Sequence, residues 1–103
     1  MDANGYPTDE ELEKVKTWHI NGQSDYLDLM HYVEELWYYK SPYFEEEEGG
    51  KFTLITGGWS GNEQVIRALE DNIPFWVFYW EMSERGGYHE FCPMDYYTYG
   101  DSL

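Results

Sequence analysis

The stretch Thr56-Gly57-Gly58-Trp59-Ser60-Gly61-Asn62-Glu63 constrains this chain more than any other. Lys51 to Thr56 precedes and enters it, apolar and β-branched at its centre, and predicts a short strand. Glu63 to Glu70 follows and predicts a helix, with Val65, Ile66 and Leu69 as its buried stripe. Gly57, Gly58 and Gly61 lie between, and glycine admits positive φ and a close approach of backbone. Ser60 or Asn62 can cap the helix, with Glu63 in its first turn. A strand, a glycine loop and a helix N-terminus can cradle an anion on free N–H groups. They can equally be a tight crossover whose glycines make room for Trp59. Neither the Gly-Lys-Ser/Thr of a phosphate loop nor the Gly-x-Gly-x-x-Gly of a dinucleotide site is present.

The remaining elements follow from spacing. Thr8-Asp9-Glu10-Glu11 is a capping box, followed by Leu12, Val15 and Trp18 or His19 at helical intervals up to Asn21-Gly22. A second helix starts at Ser24 or Asp25. Tyr26, Leu29, Met30, Val33, Leu36 and Trp37 fall on one face, and the helix is predicted to run through Tyr38-Tyr39-Lys40 to Ser41-Pro42. Glu45-Glu46-Glu47-Glu48-Gly49-Gly50 reads as an exposed loop or hairpin tip, with Phe44 ending a partner strand. Phe75-Trp76-Val77-Phe78-Tyr79-Trp80 does not alternate, which predicts a central strand covered on both faces. Gly86-Gly87 supplies a hairpin turn, and Tyr88 to Phe91 is the returning strand, ended by Cys92-Pro93. The expected architecture is α+β: two N-terminal helices, then strand, helix and β-hairpin. Helices should pack on one face of a small, largely antiparallel sheet. Residues 1–103 are read as a single small acidic domain with flexible ends at 1–7 and 94–103.

Charge bounds the partner. Asp and Glu total 21 against 6 Lys and Arg, a net charge of -15. Direct binding to nucleic acid or an anionic membrane surface needs a basic stripe, and the chain has none. Aromatic residues make up 20%, which argues against the disorder that high charge otherwise favours. The acids are interleaved with rings: Asp25-Tyr26, Glu34-Glu35-Leu36-Trp37, Tyr43-Phe44-Glu45 and Asp95-Tyr96-Tyr97. Spaced carboxylates can approximate the field of a duplex, and Tyr and Trp supply contact area. Asp25, Asp28, Glu34, Glu35, Glu45, Glu46, Glu47 and Glu48 are therefore the candidate contacts to a basic nucleic-acid-binding protein. The competing reading is a surface acidic only for solubility.

A different site is a small-ligand module on the glycine loop: Gly57, Gly58, Ser60 and Asn62, Trp59 as a stacking platform, and Arg67 or Arg85 on phosphate. His89 and Cys92 are three apart and would point to opposite faces of a strand, so no metal and no cofactor are expected. Cys92 lacks a basic neighbour or helix terminus to activate it, and no carboxylate pair stands out, so no catalytic residues are expected and the chain reads as a non-enzyme. The single cysteine, the absence of a basic and apolar leader and the absence of a membrane-length apolar run favour the cytoplasm. Exposed aromatics leave a homodimer seam open.

The pattern Thr56-Gly57-Gly58-Trp59-Ser60-Gly61-Asn62-Glu63, Phe75-Trp76, Tyr79-Trp80, Ser83, Arg85-Gly86-Gly87 and Tyr88-x-x-Phe91 resembles one found in small proteins of phages and prophages. It covers roughly the second half of the chain. That group has no established activity, so the likeness implies no catalytic residues. Size and charge are also similar to DNA-mimicking anti-restriction and anti-CRISPR proteins. Together these likenesses imply an inhibitor of a host defence nuclease or surveillance complex, acting in the cytoplasm of an infected bacterium.

Overall fold

The computed structural model describes residues 1–94, and Asp95-Tyr96-Tyr97 with the remaining C-terminal arm lies outside them. Among the described residues the order is α1 (Asp9–Lys16), α2 (Gln23–Leu36), β1 (Phe44–Glu47), β2 (Lys51–Ile55), α3 (Ser60–Asp71), α4 (Ile73–Tyr79), β3 (Trp80–Glu84) and β4 (Tyr88–Phe91). The strands form one antiparallel sheet in the order β1-β2-β4-β3. The fold is α+β, as the sequence predicts.

Strand register sorts the side chains. Phe44 opposes Leu54, and Phe52 opposes Phe91, so these apolar side chains share one face. The helices meet that face through Tyr26, whose ring lies 5.9 Å from Phe52, and Phe75, 5.2 Å from Phe91. Tyr26 also stacks on Tyr79 at 4.0 Å and donates its hydroxyl to the Gly50 carbonyl at 2.6 Å. Burial pushes its phenol well above the usual tyrosine range. Such a ring contributes about 1.5–3 kcal/mol by burial, which is how a short chain compensates for few elements.

The capping box of α1 forms as predicted, with Thr8 accepting from Glu11 N and Glu11 accepting from Thr8 N. Residues 1–7, expected as a flexible arm, lie against the body here. Asp2 accepts from the Asn4 and Tyr6 amides, and the N-terminal ammonium pairs with Glu11.

Three local expectations are corrected. Residues 73–79 form a helix, not a central strand. Asn72 caps it by accepting from Phe75 N at 3.2 Å, and Pro74 sits in the first turn, where no amide donor is needed. The hairpin survives, but its first strand begins at Trp80. Next, Glu45 to Glu47 belong to a strand, and only Glu48 with Gly49-Gly50 forms the tip. Finally, both early helices stop short of the predicted ends, α1 at Lys16 and α2 at Leu36. Trp37 turns extended, and its indole donates to the Ile55 carbonyl at 3.2 Å, so helix continuation is exchanged for a bond to the sheet.

Candidate functional site

The glycine loop is built from its own packing. Gly57 and Gly58 have φ of 63° and 75°, the left-handed region that favours glycine. A Cβ on Gly57 would stand 2.7 Å from the Tyr39 ring, and one on Gly87 would collide with Thr56 Oγ1. Trp59 stacks with Tyr6 at 4.6 Å and with Tyr38 at 4.5 Å, so its stacking capacity is used inside the protein. Its Nε1 is buried without an acceptor among the described residues. Ser60 donates to the Tyr6 hydroxyl at 3.2 Å. Asn62 does not cap α3. It is 1% exposed, accepts from Tyr38 N at 3.0 Å and donates to the Thr56 carbonyl at 3.2 Å.

Arg67 lines a polar recess of about 250 Å³ with Thr56 and Glu63, the two ends of the glycine stretch, and with Glu70 and His89. Arg85 sits in the β3–β4 turn. His89 is oriented by Ser83, whose hydroxyl lies 2.7 Å from its Nδ1 while accepting from Trp80 Nε1 at 2.9 Å. Burial lowers the His89 pKa. Cys92 is buried, its thiol pushed up to about 11 by burial and the nearby Glu81 carboxylate. Such a thiol is a poor nucleophile. Among the described residues no group of three or more His, Cys, Asp or Glu is arranged to hold a metal ion. No helix among them is long and apolar enough to cross a membrane.

The candidate acidic contacts fall into two sets. Asp25, Asp28, Glu34 and Glu35 are on α2, in the helical layer, and Asp25 accepts from Asn21 N at 2.9 Å. The tetraglutamate run is split by strand alternation. Glu46 turns to the helical side, 3.0 Å from His31 Nε2. Glu45 and Glu47 share the opposite face with Thr53 and Lys51, their register partners. Glu48 lies in the turn.

That opposite face, which carries no helix among the described residues, has an acidic border and a neutral centre. β4 places Tyr88 and Glu90 there, and β3 adds Met82 and Glu84, with Glu81 in the irregularity beside Trp80. At the centre Lys51 reaches Glu90 at 3.3 Å, and Tyr88 donates to the same carboxylate. The hydrogen bond to Glu90, helped by burial, raises the Tyr88 pKa. Glu90 is itself 9% exposed. The edge carboxylates are Glu45, half-buried and accepting from Ser41 Oγ, with Glu47 on one strand, and Glu81, approached by Cys92 Sγ at 3.6 Å, with Glu84 on the other. Three strand spacings, about 14 Å, separate the edges. Glu81 and Glu84 were not among the sequence-derived candidates. They are three apart, a spacing that regular alternation would send to opposite faces, and only the register shift between Trp80 and Met82 lets them share a side.

No protein-family model matches the chain, and no curated protein or solved structure matches it.

Proposed function

We propose that this chain is a non-catalytic, phage-encoded inhibitor that occupies a basic nucleic-acid groove of a host defence nuclease or surveillance complex as a DNA mimic, in the cytoplasm of the infected bacterium. One observation carries the reading: Glu45 and Glu47 on one edge and Glu81 and Glu84 on the other flank a neutral strip. Two rows of negative charge about 14 Å apart approach the spacing of phosphates across a major groove about 12 Å wide. The net charge of -15 supplies long-range steering toward a basic surface. The small-ligand alternative is weaker, because Trp59 and Asn62 are engaged within the protein and the recess that holds Arg67 is also lined by Glu63 and Glu70, which oppose a phosphate.

Displacement of labelled DNA from a panel of bacterial defence nucleases and RNA-guided complexes tests it. The chain should release DNA from its target, with an effect that weakens as salt rises. E45Q/E47Q/E81Q/E84Q should weaken release by about 10-fold or more, whereas D28N/E34Q/E35Q on α2 should change it little. No release from any member at low salt, or equal loss in both variants, refutes the reading.

A further inference from the structure

Helix α4, Ile-Pro-Phe-Trp-Val-Phe-Tyr, has no charged residue on any side. A helix apolar all round belongs in an interior. Here only Phe75 and Tyr79 are buried, while Ile73 is 62% exposed, Val77 66% and Phe78 51%. Trp80 and Met94 extend the patch at 42% and 73% exposed. Trp80 stacks on Trp76 at 5.6 Å, which holds it flat beside the helix. Between Phe78, Tyr79, Pro93 and Met94 lies a groove of about 240 Å³.

Taking 150–250 Å² for a large ring and about half of it exposed, the patch offers on the order of 500 Å². That is more than scattered surface residues present, and less than the roughly 800 Å² a side of a stable protein pair. Carboxylates border the two ends of the helix in the chain: Asp71 just before it and Glu81 next to Trp80, both exposed, with Glu84 further along β3. The cations near that border are Lys16, already drawn to Asp71 at 3.9 Å, and Arg85 in the turn beyond Glu84. A second copy would bring the same carboxylates against this border. An apolar stripe edged with lysine or arginine would complement it.

We propose that the outward side of α4, with Trp80 and Met94, is a docking surface for a basic amphipathic helix of a protein partner. The inference goes beyond the DNA-mimic reading; the two share the β3 glutamates, but the docking surface does not need Glu45 and Glu47.

Fluorescence anisotropy at physiological salt tests it with an 18-residue helical peptide, leucines on one face and lysines on the other. Its scrambled isomer has equal charge and no stripe. The chain should bind the striped peptide at least about 10-fold more tightly than the scramble, since charge alone cannot separate them. Val77→Asn with Phe78→Asn should abolish that preference and leave the melting temperature unchanged, both side chains being exposed. E45Q/E47Q should keep the preference, so a failure of the DNA-mimic reading would register separately. Equal affinity for the two peptides overturns the proposal, as does a preference that survives Val77→Asn/Phe78→Asn. Three results assign the patch to another occupant and also overturn it. One is a dimer in sedimentation that the double variant dissolves. Another is binding to neutral lipid vesicles that the double variant loses. The last is a chain ended at Met94 that binds the striped peptide 10-fold more tightly than the full chain.

Discussion

Replacing Asn62 by alanine should cost about 1–3 kcal/mol, because it strands the Tyr38 amide and takes one of two hydrogen bonds from the Thr56 carbonyl. The Asn62 amide accepts from Tyr38 N and donates to the Thr56 carbonyl. Thr56 is 1% exposed, but its carbonyl keeps the Trp59 amide at 3.1 Å, so it loses one bond of two, about 0.5–1.5 kcal/mol, and not the full desolvation cost. The Tyr38 amide loses its one side-chain acceptor, and with Tyr38 47% exposed its cost sits at the low end of about 1–3 kcal/mol. For a domain of this size the loss lowers the melting temperature by roughly 5–15 °C. Thermal and urea unfolding followed by circular dichroism measure it. Asn62→Asp sharpens the test. A buried carboxylate accepts from Tyr38 N but faces the Thr56 carbonyl with no proton to give, so near neutral pH it should cost at least as much as alanine. Burial raises the carboxyl pKa in the folded state above its unfolded value, so the folded state binds more protons and stability falls as pH rises. On acidification the protonated acid copies the amide, donor and acceptor both, and the gap between Asn62→Asp and wild type should close. A loss under about 0.5 kcal/mol for Asn62→Ala, or a gap unchanged between pH 7 and 4.5, refutes the role given to this side chain.

Gly57→Ala should cost about 1–3 kcal/mol, since it combines left-handed backbone with a Tyr39 clash, whereas Gly58→Ala, which meets open space, should lose only the backbone part. Urea midpoints of the two variants should therefore differ. Cys92, its thiol held at about 11, should react with a thiol reagent at pH 8 on the order of 100-fold more slowly than free cysteine, and denaturant should remove the difference. His89 has a folded pKa below its unfolded value, so it binds fewer protons when folded and contributes stability that is lost as pH falls from about 6.5. Glu63, Arg67 and Glu70 face it across the polar recess. His89→Gln should flatten that part of the pH dependence in chemical denaturation at pH 7.5 and 5.5.

The α+β class was legible because α3, β2 and β4 each carry their own period. Residues 73–80 misled because an unbroken apolar run fits a covered strand as well as a helix, and its length does not arbitrate. Asn72 followed by Pro74 was the available signal, a cap and a first-turn proline. β1 was harder to read. Glutamate has little strand preference, and Glu45 to Glu47 are strand residues because Lys51 to Leu54 offer a paired edge. The early end of α2 rests on a bond from Trp37 to a strand many residues later, which local spacing cannot register. The candidate site inherited these errors. Reading residues 45–48 as a tip makes all four acids equivalent, and reading residues 75–80 as a strand leaves Glu81 and Glu84 beyond its end.

Among the described residues both outer strands of the sheet, β1 and β3, have a neighbour on one side only, and both bear glutamates. An aromatic-rich chain with bare strand edges is a template for adding further strands, and like charges along those edges oppose it. The protection is only as durable as the ionisation. Below the carboxylate titration range the same edges become neutral while their hydrogen-bonding groups stay in place, and strand-on-strand polymerisation is the natural fate of this molecule in strong acid.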